Sequence, residues 1–484
     1  MKHNIVMLVA DQMRSDMMHH MGCEASITPN LDSIAYQEGV SFRNAYCQNP
    51  VCVPSRCSFL TGWYPHTKGH RTMHYLLEDG DPNCFKSMKK AGYHVYWLGK
   101  NHLYPVDHMQ EIELSCDEYF IGHKESDAQI HGFTGKSEEE ILQDEDYYSF
   151  LKPARTYEEE HASQDWIVMD KALEMIDQRQ LKEPFCLYIS INFPHPPYTC
   201  EEPYYSMIDR NRVPAIRPKV STLDKKPSML YGIYEKAQMQ DWETEKFNEV
   251  KAVYLGMIKR VDDQLGLLIN SLKKQCYYDS TNILFFADHG DYTGDYGITE
   301  KSQNTFENCL TNVPFIIKPS IDYELKPRIS DALVELVDIP ATLADLCGIE
   351  LGYIQFGKSI LPLLKQEQQH KDAVFCEGGR IHGETQAMEG VKSRDSIYWP
   401  RLITQCSEGP EHTKAVMIRM GQMKYVYRLY EDDECYDLEK DPLECVNVIH
   451  EEAYADIIQK CKNRMLQFMI ETGDYVPNRR DKSR

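Results

Sequence analysis

A continuous apolar run near the start of the chain, residues 4–10, constrains the fold more than any other feature. Every residue from Ile5 to Ala10 is apolar, whereas a strand with one solvated face would alternate polar and apolar residues. Such a run is typical of a strand that is buried on both faces of a parallel sheet. Further strands are predicted at residues 40–47, 94–98, 185–191, 282–287 and 313–317, with helical segments between them. The sequence therefore predicts an α/β fold in which helices cover both faces of the sheet.

The pattern changes near residue 371. Short alternating segments at residues 374–377, 415–420 and 424–430 predict an antiparallel sheet, and residues 451–471 predict an amphipathic helix. We therefore divide the chain into a catalytic domain, residues 1–370, and a smaller α+β subdomain, residues 371–484. The tail from Pro477 onwards is predicted to be disordered.

Polar residues follow several of the predicted strands. In open α/β sheets functional groups gather at the carboxyl ends of strands. For each of these residues a structural role is the alternative: a helix cap or turn for the aspartates, and a packed or solvated side chain for the lysine and the histidines. The residues concerned are Asp11 and Gln12 after the first strand, Lys100 and His102 after the third, His195 between two prolines, and Asp288 and His289 after the fifth. Because side chains alternate along a strand, Lys100 and His102 are expected to point into the same pocket.

A second constraint comes from the stretch that begins at Cys52. A cysteine just before Pro54 is placed at a helix N-terminus, where backbone N–H groups and the helix dipole favour an anion. Arg56 follows one helical turn later, so its guanidinium can return to the same place. For an isolated cysteine, a buried structural role beside a surface arginine would be the better interpretation. The full string favours a site for an anionic substrate.

Composition excludes some partners and indicates a compartment. The formal net charge of -22 argues against nucleic acid and against an anionic membrane. The 16 cysteines are scattered and form no Cys-x-x-Cys pair, which favours reduced thiols in a cytoplasmic protein. The first residues lead straight into a strand without a cleavable signal segment. No apolar run reaches the roughly 18 residues of a membrane-spanning helix. We expect a cytoplasmic protein of a bacterial host, with no membrane partner.

The stretch Cys52-Val53-Pro54-Ser55-Arg56, followed by Leu60-Thr61-Gly62, resembles the signature of the type I sulfatases, the formylglycine-dependent branch of the alkaline phosphatase superfamily. The resemblance extends over most of the chain. It implies the alkaline-phosphatase-like mixed sheet between layers of helices, with a smaller four-stranded C-terminal part. The matching positions are Asp11, Lys100, His102, His195, Asp288, His289, Lys301 and the C-terminal string Tyr436-Asp437-Leu438-x-x-Asp441-Pro442-x-Glu444-x-x-Asn447.

The resemblance implies a sulfuric ester hydrolase. Cys52 would be oxidised to formylglycine (3-oxoalanine), and its hydrate would attack the sulfate ester. Arg56 would steady the hydrate, and Lys100 and Lys301 would neutralise charge on the sulfate oxygens. His195 would protonate the leaving alcohol, and His102 would assist the elimination of sulfate. One divalent cation would be bound by Asp11, Gln12, the modified Cys52, Asp288 and His289.

Gln12 departs from the family pattern, because many sulfatases have a second aspartate there. The site therefore has one negative charge fewer. Ca²⁺ is still the expected metal ion, and Mn²⁺ and Mg²⁺ are the alternatives. The Asp-Gln and Asp-His combination also occurs in formylglycine-dependent phosphonate monoester and phosphodiester hydrolases, which form the enzymatic alternative. A sulfate-ester-binding module without turnover is the alternative if Cys52 stays unmodified. A maturase that oxidises Cys52 is the expected transient partner.

The substrate is expected to be a small sulfated molecule, with a sulfated carbohydrate preferred. Residues 104–160 and 200–240, together with the stretch from Gly378 to His382, are predicted to shape the rim of the pocket. Aromatic residues of this rim could stack on a sugar. They are Tyr104, Tyr147, Tyr148, Tyr198, Tyr204 and Tyr205. The sequence leaves the oligomeric state open.

Overall fold

The computed structural model describes residues 2–478 except 106, 123–131, 162 and 391–392. The predicted disorder of the tail concerns mostly residues outside this range. The α-helices of the described residues are Pro29–Ser33, Cys52–Thr61, Pro65–Lys68, Cys84–Lys90, Met109–Ser115, Glu138–Gln143, Tyr157–His161, Gln164–Asp177, Ser228–Lys236, Thr244–Lys274, Asn308–Thr311, Asp338–Cys347, Trp399–Gln405 and Ala455–Thr472. The strands of the larger sheet are β1 (Asn4–Ala10), β2 (Val40–Tyr46), β3 (His94–Gly99), β4 (Glu118–Phe120), β5 (Phe185–Ser190), β6 (Thr281–Ala287), β7 (Phe315–Lys318) and β8 (Arg328–Glu335).

The larger sheet has eight strands in the order β4-β3-β5-β1-β6-β7-β2-β8. Strand β1 lies inside it, with parallel neighbours on both sides, and all seven of its residues are buried. Among the described strands of this sheet, β7 alone runs antiparallel to its neighbours, β6 and β2. The sheet is therefore mixed, and the predicted α/β class is confirmed. The apolar character of β1 follows from its position, because both of its faces are covered.

One end of the larger sheet collects the carboxyl ends of the parallel strands that precede the candidate site residues. Strands β1, β2, β3, β5 and β6 all run in the same direction, so their carboxyl ends lie together. This is where open α/β sheets place their functional groups. The polar residues that follow these strands are thereby brought to one edge, as the sequence predicts.

The smaller sheet is antiparallel, with the order β12-β11-β10-β9. Its strands are β9 (Val374–Gly378), β10 (Ala415–Met420), β11 (Met423–Arg428) and β12 (Glu434–Asp437). The helix Ala455–Thr472 covers one face, where the ring of Phe468 stacks on Phe375 at 3.8 Å within a buried apolar cluster. The four-stranded C-terminal part that the resemblance implies is thus present, whereas the boundary at residue 370 stays a prediction.

Three strands, β4, β8 and β12, were not predicted from the sequence. β4 has three residues, and β12 has four, which is too short for a periodic signal. β8 is an edge strand in which Ser330 and Asp331 interrupt the apolar residues. An edge strand tolerates such residues because one side of it has no hydrogen-bonded neighbour. Among the described residues, no helix is both long and apolar enough to cross a membrane.

Candidate active site

Cys52 is the first residue of the helix Cys52–Thr61, as predicted. The preceding Val51 is extended, and the helix ends at Gly62, which has the left-handed φ of 76° that favours glycine. The thiol is buried, with 1% of the residue exposed. Its Sγ lies 3.1 Å from Nε2 of His289 and 3.6 Å from Oδ1 of Asp11. The helix N-terminus therefore places Cys52 against residues that follow β1 and β6.

Four side chains form a buried cluster that can hold a metal ion. Asp11, Cys52, Asp288 and His289 each offer one ligand atom, and these atoms lie within 4.8 Å of one another. Nδ1 of His289 is 2.9 Å from the carbonyl of Gly290, so Nδ1 carries the proton and Nε2 presents its lone pair to the cluster. Two carboxylates and a neutral imidazole fit a divalent cation. The donor set thus matches four of the five predicted ligands.

Arg56 holds the two carboxylates of this cluster in place. Its Nη2 donates to Oδ2 of Asp11 at 2.9 Å, and its Nε donates to Oδ2 of Asp288 at 2.9 Å. A third bond, from Nη1 to Oγ of Ser190, measures 2.6 Å. The guanidinium is fully buried, and its fixed fork directs each carboxylate towards the cluster. Arg56 therefore positions the ligands, as well as bringing charge to the site.

The two predicted lysines lie on either side of the cluster. Nζ of Lys100 is 2.8 Å from Oδ2 of Asp11. Nζ of Lys301 donates to Oε1 of Gln12 at 2.5 Å and lies 2.9 Å from Nε2 of His195. Burial alone would raise the pKa of Asp11, but Lys100 and Arg56 hold that pKa well below its usual range. Asp11 is therefore ionised, as a metal ligand must be.

Gln12 is held by its neighbours in a left-handed backbone conformation, with a φ of 65°. Its Nε2 donates to Oδ2 of Asp291 at 2.6 Å, and its backbone N–H donates to Oδ1 of Asp288 at 3.0 Å. Because Lys301 already donates to the amide oxygen, a cation would have to share that oxygen with the ammonium. The role of Gln12 as a fifth metal ligand stays a prediction.

Both predicted histidines lie at this edge in their neutral forms. Burial, and then Lys301, hold the pKa of His195 well below its usual range; burial and Lys100 do the same for the pKa of His102. The alternation argument for Lys100 and His102 is wrong, because β3 ends at Gly99 and His102 has a φ of 48°. A turn after the strand, rather than the strand itself, directs these two side chains.

Several residues of the site were not assigned from the sequence. Ser190 is the last residue of β5 and accepts from Arg56, while Asp291 binds Gln12. Asp291 comes only two positions after His289, so its place in the sequence could have indicated that it belongs to the site. Arg401 contacts Glu300 at 3.2 Å, and together with Lys301 they line a pocket beside the cluster. No local pattern connects residues 300 and 401, so this contact could not be found from the sequence.

The predicted aromatic rim is mostly wrong. Tyr104, Tyr147, Tyr148 and Tyr198 are between 0% and 2% exposed. The hydroxyl of Tyr198, for example, donates to Oδ1 of Asp291 at 2.7 Å. A tyrosine that can satisfy its hydroxyl inside the protein gains more from burying its ring than from facing water. These four rings therefore have almost no exposed surface on which a sugar could stack.

Comparison with known proteins gives consistent results. The sequence model of the family described as "Sulfatase" matches residues 3–349. The chain is 28% identical to an arylsulfatase of Clostridium perfringens, over 96% of this chain and 94% of that protein. It is 25% identical to a choline-sulfatase of Rhizobium meliloti, over 92% of this chain and 82% of that protein.

Its fold is similar to that of a phosphonate monoester hydrolase of Agrobacterium radiobacter. The TM-score is 0.77 at 21% sequence identity, and the match covers 97% of this chain and 96% of the other. At this identity the similarity concerns the fold, including the mixed sheet and the smaller antiparallel sheet.

Proposed function

This chain belongs to the sulfatase family and is a sulfuric ester hydrolase, and on that premise we propose that it hydrolyses the sulfate ester of a carbohydrate through a formylglycine made from Cys52. The observation that carries the proposal is the position of Cys52 at a helix N-terminus, with its Sγ 3.1 Å from Nε2 of His289 inside the metal-binding cluster. No other cysteine has carboxylate, imidazole and guanidinium groups arranged around it in this way in the part of the chain that the structure describes.

The unmodified thiol suits this reaction poorly. In the metal-free site burial, and then Asp11, raise the pKa of Cys52 to about 12, so the buried thiol keeps its proton there at neutral pH. A thiolate that did attack sulfur would also remain in a stable adduct. The hydrated aldehyde of formylglycine supplies one hydroxyl as the nucleophile and a second whose deprotonation expels sulfate.

The cluster fits one divalent cation, with Ca²⁺ first and Mn²⁺ or Mg²⁺ as alternatives. Bound there, the cation would polarise the sulfate oxygens and acidify the attacking hydroxyl. Asp11, Asp288 and His289 would hold it, and Arg56 keeps the two carboxylates aligned. Lys100 and Lys301 flank the cluster, where each ammonium can bind a sulfate oxygen as negative charge develops on it.

The preference for a carbohydrate is supported by the pocket beside the cluster. Its wall combines the charged side chains of Glu300, Lys301 and Arg401 with the partly exposed ring of Tyr398. The cavity itself measures only about 20 Å³, roughly the space of one water molecule, so a sugar would contact these polar groups and the ring from outside the cavity, through its hydroxyl groups. The metal ligands Asp11, Asp288 and His289 would hold the sulfate end of the substrate, and this wall would contact the alcohol end.

A phosphonate monoester or phosphodiester hydrolase is the second candidate. The observation that favours it is Gln12, which replaces a carboxylate by a neutral amide, as in enzymes with the Asp-Gln and Asp-His combination. Ser55, whose Oγ donates to the carbonyl of Asp288 at 2.6 Å, belongs to the sulfatase form of the signature and favours the first proposal. Without oxidation of Cys52, the chain would be a binding module for sulfate esters.

We also propose a maturase partner and a reducing, cytoplasmic compartment. Oxidation of Cys52 requires an enzyme that acts on the cysteine before the residue becomes buried by folding. The compartment is supported by the cysteines, because all 16 fall within the described residues and are free thiols there.

Mass spectrometry of the peptide spanning residues 44–56, from protein made in its own host, tests the proposal. Conversion of Cys52 to formylglycine is the expected result, and unmodified Cys52 in every copy would overturn it. The ratio of kcat/KM for an aryl sulfate to that for an aryl phosphonate monoester then separates the two hydrolases. A Cys52→Ala variant should hydrolyse neither ester and serves as the control for contaminating activity.

A further inference from the structure

A second group of metal-ligating side chains lies outside the active site, in the C-terminal part. His382, Glu408 and His412 each offer one ligand atom, and these atoms lie within 4.8 Å of one another. His382 follows β9, and the other two residues precede β10. The three residues therefore come from the two ends of the segment that connects these strands. None of them takes part in the cluster around Cys52.

His412 provides the observation that points to a ligand. The residue is 0% exposed, and neither of its imidazole nitrogens has a hydrogen-bond partner in the part of the chain described. Burying a polar side chain without a partner is unfavourable, and a metal ion bound to one of these nitrogens would offset that cost.

The neighbouring groups hold the other two ligands in place. The ring of His382 stacks on Tyr430 with centroids 3.6 Å apart, and it lies 4.8 Å from the ring of His412. One oxygen of Glu408 is 3.2 Å from Nη2 of Arg380. That same Nη2 lies 2.7 Å from the carbonyl of Ser407. Glu408 and backbone oxygens thus bind one nitrogen of Arg380, whereas its Nε and Nη1 have no hydrogen-bond partner among the described residues.

We propose that His382, Glu408 and His412 bind a zinc ion. Two imidazoles and one carboxylate form a donor set that zinc accepts, with a fourth position left for water. Because two of the three donors are nitrogen atoms, Ca²⁺ and Mg²⁺ are disfavoured, since they prefer oxygen ligands. The site stands independently of the proposed function, because no residue of the cluster at Cys52 contributes to it.

The position of this site gives it a structural role. The connection between β9 and β10 carries Tyr398 and Arg401, which line the pocket beside Lys301. A zinc ion at His382, Glu408 and His412 joins the two ends of that connection at its base. Binding to the folded state alone stabilises that state by mass action. The ion therefore holds the pocket wall to the smaller sheet.

Zinc binding to the full-length, metal-stripped protein tests this proposal. Isothermal titration calorimetry should show one zinc ion fewer per chain for His382→Gln than for the wild type. The cluster at Cys52 is common to both proteins, so its own zinc binding cancels in the difference. His450→Gln is the matched control, because His450 is also exposed and lies near an acidic residue, Asp432; it should bind as many zinc ions as the wild type.

Two further readouts keep the result unambiguous. Zinc should raise the Tm of the wild type and of His450→Gln more than that of His382→Gln or Glu408→Gln. It should also slow amide hydrogen exchange in residues 393–405 of the wild type and His450→Gln only. Equal zinc stoichiometry in the wild type and His382→Gln, or an equal rise in Tm, would overturn the proposal. Both substituted side chains are exposed, so the variants should fold.

Discussion

Nζ of Lys301 lies 2.9 Å from Nε2 of His195, and Nδ1 of the same ring lies 2.6 Å from the carbonyl of Pro196. Because Nδ1 donates to that carbonyl, Nε2 accepts from the lysine. The neutral ring thus has no proton on the nitrogen that faces the site, and the proton of this pair resides on Lys301. The resemblance to sulfatases implied that His195 protonates the leaving alcohol; on this geometry we propose that Lys301 and His195 act together in that step.

Lys301→Met and His195→Asn should therefore lower kcat/KM most for substrates with poor leaving groups. General acid catalysis typically increases the rate about 10²- to 10⁴-fold. A nitrophenolate leaves readily without being protonated, whereas an alkyl alcohol has to be protonated as it leaves. The measurement is the dependence of kcat/KM on the pKa of the leaving group. The exposed pair of Lys365 with Glu324 provides a control, Lys365→Met. A loss of the same size for every leaving group would show that the pair only neutralises charge.

Arg56→Lys should destabilise the protein and weaken metal binding. A lysine can reach only one of the two carboxylates that Arg56 bridges, and an unpaired buried charge costs about 3–5 kcal/mol. Chemical denaturation of the metal-free protein measures the change in the free energy of unfolding. Arg43→Lys is the matched control: Arg43 is 2.9 Å from Asp331, but both side chains are exposed, so the expected change is below about 1 kcal/mol. Equal effects of the two substitutions would contradict this account.

Gln12→Glu should destabilise the site by placing a second carboxylate against Asp291. The amide that donates to Asp291 at 2.6 Å would be replaced by a carboxylate, and two facing carboxylates must repel each other or take up a proton to share, which costs about 1–3 kcal/mol. Burial already raises the pKa of Asp291 to about 7, and the new carboxylate should raise that pKa further.

Asp291→Asn in the same chain should restore most of the loss, because its amide can donate to the carboxylate introduced at position 12. The quantity to measure is the coupling free energy of the double-mutant cycle, from denaturant unfolding. Additive effects of the two substitutions would mean that the amide group of Gln12 points the other way, with its oxygen towards Asp291.

Asp295→Asn should change how stability depends on pH. Burial alone would raise the pKa of Asp295, but Lys251 at 2.8 Å, Arg14 at 2.9 Å and Arg217 at 3.4 Å hold it well below its usual range. A carboxyl group whose pKa is lowered by folding contributes stability above its unfolded pKa of about 3.9. This contribution is lost as the pH falls through the lower, folded pKa.

The free energy of unfolding of Asp295→Asn should accordingly be about 3–5 kcal/mol below that of the wild type at pH 7, and the difference should shrink below about pH 4. Denaturant unfolding from pH 3 to pH 7 measures it. Asp331→Asn, at an exposed position, should show no such trend. A difference for Asp295→Asn that stays constant over this range would contradict the assignment.

The sequence predicted which polar side chains lie together around Cys52 better than it predicted the surroundings of this cluster. Asp11, Asp288 and His289 follow strands directly, so a correct strand assignment is enough to place them at one edge of the sheet. Cys52 and Arg56 lie on one helical turn, which is a local relationship. The contact between Glu300 and Arg401 depends instead on two segments about 100 residues apart meeting in space. No periodic pattern encodes such a contact, and the same holds for the pairing of the edge strand β8.

By itself, the sequence determined the local position of each functional group: a buried parallel strand that ends at Asp11, a cysteine that begins a helix, and acids and bases at the ends of other strands. These features are local, because backbone conformation and side-chain direction follow from neighbours in the chain. Only the tertiary structure decided which atoms meet. It placed Lys301 beside His195 and Arg56 between the carboxylates of Asp11 and Asp288. It also buried the tyrosines that were expected at the rim and placed His382 next to His412. Such pairings depend on how distant segments pack, and packing is a property of the whole fold.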